Sequence, residues 1–110
     1  MHNSSPNAPE PFLTFVVPVY NEEPVLDKSL PILRDYLDQL VEGRGRGESW
    51  EMILVDDGSK DRSVKIIETW ILTERDSPGT TRLLQLPANR GKGAAVRKGM
   101  LEAKGRFAFF

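Results

Sequence analysis

Phe12-Leu13-Thr14-Phe15-Val16-Val17-Pro18-Val19-Tyr20-Asn21-Glu22-Glu23 is the stretch that decides the fold. Its first eight residues form a nearly continuous apolar run rich in branched side chains. Runs of this kind are strands buried on both faces, as in parallel sheets. Pro18 is expected to mark the strand's end, because proline has no N–H for a sheet ladder. An amphipathic helix follows, with Leu26, Leu30, Leu33, Leu37 and Leu40 on one stripe. Asn21, Glu22, Glu23 and Pro24 read as its start: a cap, acids in the first turn and an early proline. Pro31 is expected to kink this helix or to begin a second piece.

Working outward, the same unit recurs. Gly43-Arg44-Gly45-Arg46-Gly47-Glu48-Ser49 breaks the first helix. Trp50 to Val55 is a second buried strand, ending in Asp56-Asp57-Gly58-Ser59. Asp61 is placed to cap a second helix that carries Val64, Ile67, Trp70 and Ile71 on its apolar side. Ser77-Pro78-Gly79 ends that unit. Arg82 to Leu86 is a third strand. A third helix runs from about Gly93 to Lys104, with Ala95, Val96, Gly99, Met100 and Ala103 available for packing. Arg106 to Phe110 begins a fourth strand. Strand and helix alternate throughout, which predicts a three-layer α/β fold: a Rossmann-like parallel sheet with right-handed crossovers and helices on both faces.

The totals narrow the classes of function. A length of 110 residues suits one domain or part of one. With 39% hydrophobic and 28% charged residues the composition is that of a soluble globular chain. A formal net charge of -1 gives no overall attraction for nucleic acid, and no nucleic-acid partner is expected. Cysteine is absent, which excludes disulfides, thiolate metal sites and a cysteine nucleophile and fits a reducing compartment. The single histidine, His2, lies in a polar tail, so neither a Ser-His-Asp triad nor a histidine-rich zinc site has a credible source. Residues 1–11, rich in Asn, Ser and Pro, read as a disordered lead-in and lack the apolar core of a signal peptide. At the other end, Phe107 to Phe110 reads as a strand still in progress, which suggests a truncated chain.

In an open parallel sheet, the loops after the carboxyl ends of the strands share one edge, and ligands bind there. Here those loops are Pro18-Val19-Tyr20-Asn21-Glu22-Glu23, Asp56-Asp57-Gly58-Ser59 and Asn89-Arg90-Gly91-Lys92-Gly93. Tyr20 offers a flat face for a base. Glu22 and Asp57 are acceptors suited to ribose hydroxyls or a base imide N–H. The third loop combines glycines, a helix N-terminus and the cations Arg90 and Lys92, a combination that favours a phosphate or diphosphate. Each part also has a structural explanation. Tyr20 can cover the sheet edge, Asp56 and Asp57 can cap a turn, and the third loop can be an ordinary turn with solvated charges. Arg44 and Arg46 read as a solvated loop, and Trp50 and Trp70 as core. The coincidence of three such loops on one edge favours a nucleotide site. No Gly-x-x-x-x-Gly-Lys-Ser/Thr loop occurs, and the first strand does not end in a dinucleotide turn.

At these residues the chain resembles a known family. Val17-Pro18-Val19-Tyr20-Asn21-Glu22 resembles the opening motif of family 2 inverting glycosyltransferases of the GT-A fold, and Val55-Asp56-Asp57-Gly58-Ser59 resembles their second motif. The run from Asn89 to Met100 looks most like the dolichyl-phosphate β-glucosyltransferase and polyprenyl-phosphate glycosyltransferase branch. The resemblance covers about residues 12–110. It implies that these residues are the N-terminal, nucleotide-binding half of a GT-A domain. It further implies sugar transfer, with inversion, from a UDP- or GDP-sugar to a lipid-linked phosphate. Pro18 and Tyr20 would line the base pocket and Glu22 would hold the ribose side. Asp57 would read the base, with Asp56 supporting its loop, and Lys92 with Arg90 would lie near the diphosphate.

The family also has an Asp-x-Asp metal motif at the end of the next strand, and Phe110 falls just before that point. Mg2+ or Mn2+ is therefore implied, with its ligands mostly outside this chain, and Asp56-Asp57 is not that motif. The catalytic base and the acceptor segments are expected later still, so no catalytic residue is assigned here. The expected setting is cytoplasmic, extending to the cytoplasmic face of a membrane. The rival expectation is a non-catalytic nucleotide-binding or assembly module on the same fold. A nucleotidyltransferase or a dehydrogenase is a further alternative, since fold alone does not assign function.

Overall fold

The fold was obtained as a computed structural model, which describes residues 10–43, 48–74 and 78–110. The readings of His2 and residues 1–9, of Arg44 and Arg46, and of Ser77 lie outside the described residues. The elements alternate as expected: β1 Leu13–Val19, α1 Glu23–Val41, β2 Trp50–Asp56, α2 Ser63–Thr73, β3 Gly79–Gln85, α3 Lys92–Glu102 and β4 Phe107–Phe109. All strand pairings are parallel, and the order across the sheet is β3-β2-β1-β4.

The register makes two faces. Phe15 lies opposite Met52 and Val17 opposite Leu54, while Val16 lies opposite Ile53 and Pro18 opposite Val55. Because side chains alternate along a strand, the first set points to one face and the second to the other. Met52 and Leu54 join Leu26, Leu30, Leu37 and Ile67 in one cluster, which is the core beneath α1 and α2. Val16, Ile53 and Val55 join Ala95 in a second cluster beneath α3. β2 is buried along its whole length, as a central strand covered on both faces should be. Helix α3 approaches so closely that a side chain at Gly99 would run into Val16, so the small residues of this helix set the layer spacing.

Three expectations are corrected. Helix α1 continues through Pro31 without a second start. The proline removes one helical hydrogen bond, to the carbonyl of Asp27, on an exposed flank where water can replace it. Leu26 and Leu30 before it, and Leu37 and Val41 after it, are buried in line and keep the two halves together. Strand β1 runs one residue past Pro18, with Val19 opposite Asp56. On its other side β1 is paired only from Leu13 to Phe15, so the missing proline N–H interrupts no ladder. Strand β3 begins at Gly79 and not at Arg82, because the ladder to β2 holds Thr80 and Thr81 as well. That edge strand is half exposed and carries no apolar signal at its start.

A buried polar knot holds the start of the sheet. The Glu51 carboxylate, 3% exposed, accepts the Thr14 hydroxyl at 2.7 Å and the Lys104 N–H at 2.6 Å. Arg82 lies 3.4 Å from its other oxygen, and the Gly105 N–H donates to Thr14 Oγ1 at 2.9 Å. The knot fixes where the chain leaves α3 and enters β4. Removing the carboxylate would strand the Thr14 and Lys104 donors and leave Arg82 with Glu102 alone. Glu51→Ala is therefore expected to lower the unfolding free energy by about 3 kcal/mol in urea titration. A loss below about 0.5 kcal/mol would show that the knot carries no weight.

Candidate functional site

The carboxyl edge of the sheet gathers the three loops. Val19 ends β1 beside Asp56 of β2, and the Asp57 N–H donates to the Val19 carbonyl at 2.8 Å. Leu86, just past β3, donates to the Asp56 carbonyl at 2.8 Å. A cleft of about 360 Å3 opens there, lined by Pro18, Val19, Tyr20, Glu22, Asp57, Asn89, Gly91 and Lys92. Five of the seven residues singled out from the sequence therefore share one cleft: Pro18, Tyr20, Glu22, Asp57 and Lys92. Tyr20 is 42% exposed, so its ring is open to a ligand while the strand beneath it is buried.

The other two lie off the lining. Asp56 is buried under its own turn, where one oxygen accepts the Gly58 and Ser59 N–H groups at 3.1 and 2.9 Å. This is an Asx-type turn, the structural role set out for it from the sequence. Arg90 has an exposed side chain and enters the site through its backbone. Its N–H donates to Asp57 Oδ1 at 2.7 Å, and the Gly91 N–H donates to Asp57 Oδ2 at 2.8 Å. The Asp57 carboxylate thus bridges the second and third loops with both oxygens, at 3% exposure. It also places a negative charge at the N-terminal end of α3, where the helix dipole favours it. Two amides just ahead of α3 are consequently engaged, and the cationic side chain on the cleft wall is Lys92.

Gly58 shows how close the second and third loops come. Its φ is +79°, and a Cβ there would lie 2.7 Å from the Asn89 nitrogen and 2.9 Å from the Ala88 carbonyl carbon. Only glycine satisfies both the left-handed backbone and this contact.

The first and second loops are tied by a set of contacts that sequence reasoning missed. Asn21 is not the helix cap. Glu22 occupies that position, and Asn21 has φ 51°. The Asn21 N–H donates to Ser59 Oγ at 2.8 Å, and its Oδ1 accepts the Lys60 N–H at 2.9 Å. The Glu22 N–H donates to Ser63 Oγ at 2.8 Å and the Glu23 N–H to Asp61 Oδ2 at 3.1 Å. In return, Glu23 Oε1 accepts the Arg62 N–H at 3.0 Å. Asp61, expected to cap α2, accepts the Ser63 N–H at 2.9 Å while Arg62 takes the cap position. The N-termini of α1 and α2 thus cap each other, each satisfying donors that a helix start leaves open. The only sequence sign of this was a surplus of Asn, Asp and Ser in two loops.

Among the described residues, no three His, Cys, Asp or Glu side chains are grouped to hold a metal ion. Asp56 lies beneath its turn, and Asp57 bridges the second and third loops. These residues do not supply a ligand set for the implied Mg2+ or Mn2+.

Residues 14–110 match the glycosyl transferase family 2 domain, and the chain belongs to that family. It is 40% identical over 98 residues to the dolichyl-phosphate beta-glucosyltransferase ALG5D of Trichomonas vaginalis, covering 89% of this chain and 28% of the relative. It is 36% identical over 99 residues to the dolichyl-phosphate beta-glucosyltransferase of Dictyostelium discoideum, covering 87% and 28%. The fold is similar to that of the mannosyltransferase PcManGT of Pyrobaculum calidifontis, solved in complex with GDP-Man and Mn2+. The TM-score is 0.65 at 26% identity, over 86% of this chain and 25% of that one. The chain therefore spans just over a quarter of the length of the curated relatives it matches.

One titration reports on the interlocked helix starts. The Ser63 hydroxyl above all, with the N–H groups of Ser63 and Glu23, holds the Asp61 carboxyl below its ordinary value. A carboxyl lowered on folding stabilises the fold above its unfolded pKa and loses that contribution as pH falls through the folded value. Stability measured by urea unfolding is expected to fall on acidification through and below the usual carboxylate range, and Asp61→Asn to flatten that slope. An identical slope in the variant would assign the pH dependence elsewhere.

Proposed function

We propose that this chain is the nucleotide-binding half of a sugar transferase that takes a UDP- or GDP-sugar as donor. The acceptor proposed is a dolichyl or other polyprenyl phosphate, and the transfer inverts the anomeric centre. The observation that carries the proposal is the shared cleft of Tyr20, Glu22, Asp57 and Lys92. These residues offer, side by side, what a nucleotide diphosphate requires. The exposed Tyr20 ring stacks a base, at about 1–3 kcal/mol for such contacts. Glu22 accepts from ribose hydroxyls. Asp57 Oδ1 and Oδ2 each keep a lone pair beyond the N–H bonds already made, enough for a base imide. Lys92 neutralises diphosphate charge. The relatives' names support the lipid-phosphate acceptor, and a neighbour holding GDP-Man with Mn2+ supports the donor class and a divalent metal.

Residues 12–110 would then be one part of a longer GT-A domain, which the relatives' greater length supports. The metal ligands, the base and the acceptor site would lie in that further part. No helix among the described residues is long and apolar enough to cross a membrane. The proposed setting is the cytoplasm, at the membrane face where a lipid phosphate can be reached.

Titration of the chain with UDP and with GDP, in the presence of Mg2+ or Mn2+, tests this by NMR. Shifts are expected at Tyr20, Glu22, Asp57 and Lys92, and Tyr20→Ala should weaken binding about tenfold. Shifts confined to the groove between α1 and α2, or none at all, would overturn the assignment.

A further inference from the structure

Asn21 has the one positive φ among the described non-glycine residues. The left-handed region costs an ordinary residue about 1–2 kcal/mol, and asparagine is one of the few that tolerate it. Tyr20 and Glu22, its two neighbours in sequence, both line the cleft. The left-handed turn at Asn21 therefore sets how those two side chains stand relative to each other.

That turn is held from outside the first loop. Ser59 Oγ receives the Asn21 N–H, and Asn21 Oδ1 receives the Lys60 N–H. The two bonds run in opposite directions between the same pair of loops, so together they fix both position and orientation. Next to them, Glu22 is bonded to Ser63 and Glu23 to Asp61 and Arg62. The Asn21 side chain is exposed and does not line the cleft. Its bonds are all to the second loop, which carries Asp57.

We propose that Asn21, acting through Ser59 and Lys60, is a positioning residue for nucleotide binding: it holds Tyr20 and Glu22 in register with Asp57. The proposal rests on the assignment of the same cleft to a nucleotide. It explains why asparagine suits this position better than glycine. Glycine would accept the backbone angle and lose the Oδ1 bond, whereas aspartate keeps both the acceptor and the tolerance for φ above zero.

Four variants of the full chain separate these contributions: Asn21→Ala, Asn21→Gly, Asn21→Asp and Ser59→Ala. Dissociation constants for UDP and GDP are measured beside the thermal midpoint of each variant, at a temperature where all are folded. Asn21→Ala and Ser59→Ala are expected to weaken binding about tenfold, Asn21→Gly by a smaller factor, and Asn21→Asp by less than about twofold. A midpoint that falls while affinity stays at the wild-type value would reduce Asn21 to a structural residue and overturn the proposal. If the unaltered chain binds neither UDP nor GDP, the cleft assignment fails, and the positioning role is judged separately in the ligand-free chain. There Ser59→Ala, 38 positions away from Asn21 in sequence, should move the Tyr20 ring and Glu22 side-chain resonances. Unchanged resonances at both would overturn it.

Discussion

The Asp57 carboxylate is bonded through one oxygen to the Arg90 N–H and through the other to the Gly91 N–H, and the shape of the cleft depends on this bridge. A buried carboxylate is stable only where donors replace its lost water. Here two backbone amides and the positive end of α3 replace it. In exchange, a loop that has no sheet ladder of its own is held against the end of β2. Gly58 makes the close approach possible, since any larger residue would push the Ala88–Asn89 backbone away. The bridge also changes how a diphosphate would be received. A negative charge already stands at the start of α3, so the cationic contribution on the cleft wall comes from the Lys92 side chain and not from the Arg90 and Gly91 amides.

Much of the architecture was legible in the order of apolar runs. Phe12 to Val19 and Trp50 to Val55 are too uniformly apolar to be anything but strands covered on both sides, and the leucine stripe from Leu26 to Leu40 has only a helical period. Parallel pairing then follows from the crossovers, and it brings the three strand-end loops to one rim. Topology places Pro18, Tyr20, Glu22, Asp56, Asp57, Arg90 and Lys92 at that rim, and all but Asp56 and Arg90 line the cleft.

What escaped sequence reasoning lies in pairings between distant residues. Pro31 carries a strong local preference against mid-helix positions, yet burial of two aliphatic residues on either side outweighs it. Asn21 looked like a cap because asparagine before a helix usually is one; its side chain serves another loop, 39 positions on. Thr14 and Glu51 sit in runs otherwise apolar, and nothing local signals that they meet each other and Lys104 in a buried knot. Asp57 reads from the sequence as a ligand group or a turn residue, and its bonds to the third loop exist only because the fold brings the end of β2 against the start of α3. Local periodicity determines elements, whereas these polar contacts depend on the tertiary arrangement.

The most direct test is amide hydrogen exchange at Arg90 and Gly91, in the chain as it stands and in Asp57→Ala. If the carboxylate bridge organises the site, both amides exchange slowly in the former and are released by orders of magnitude in the latter, while the amides of β2 keep their protection. Fast exchange at Arg90 and Gly91 in the unaltered chain would mean that no such bridge holds the loops together, and the cleft could not be regarded as a preformed site.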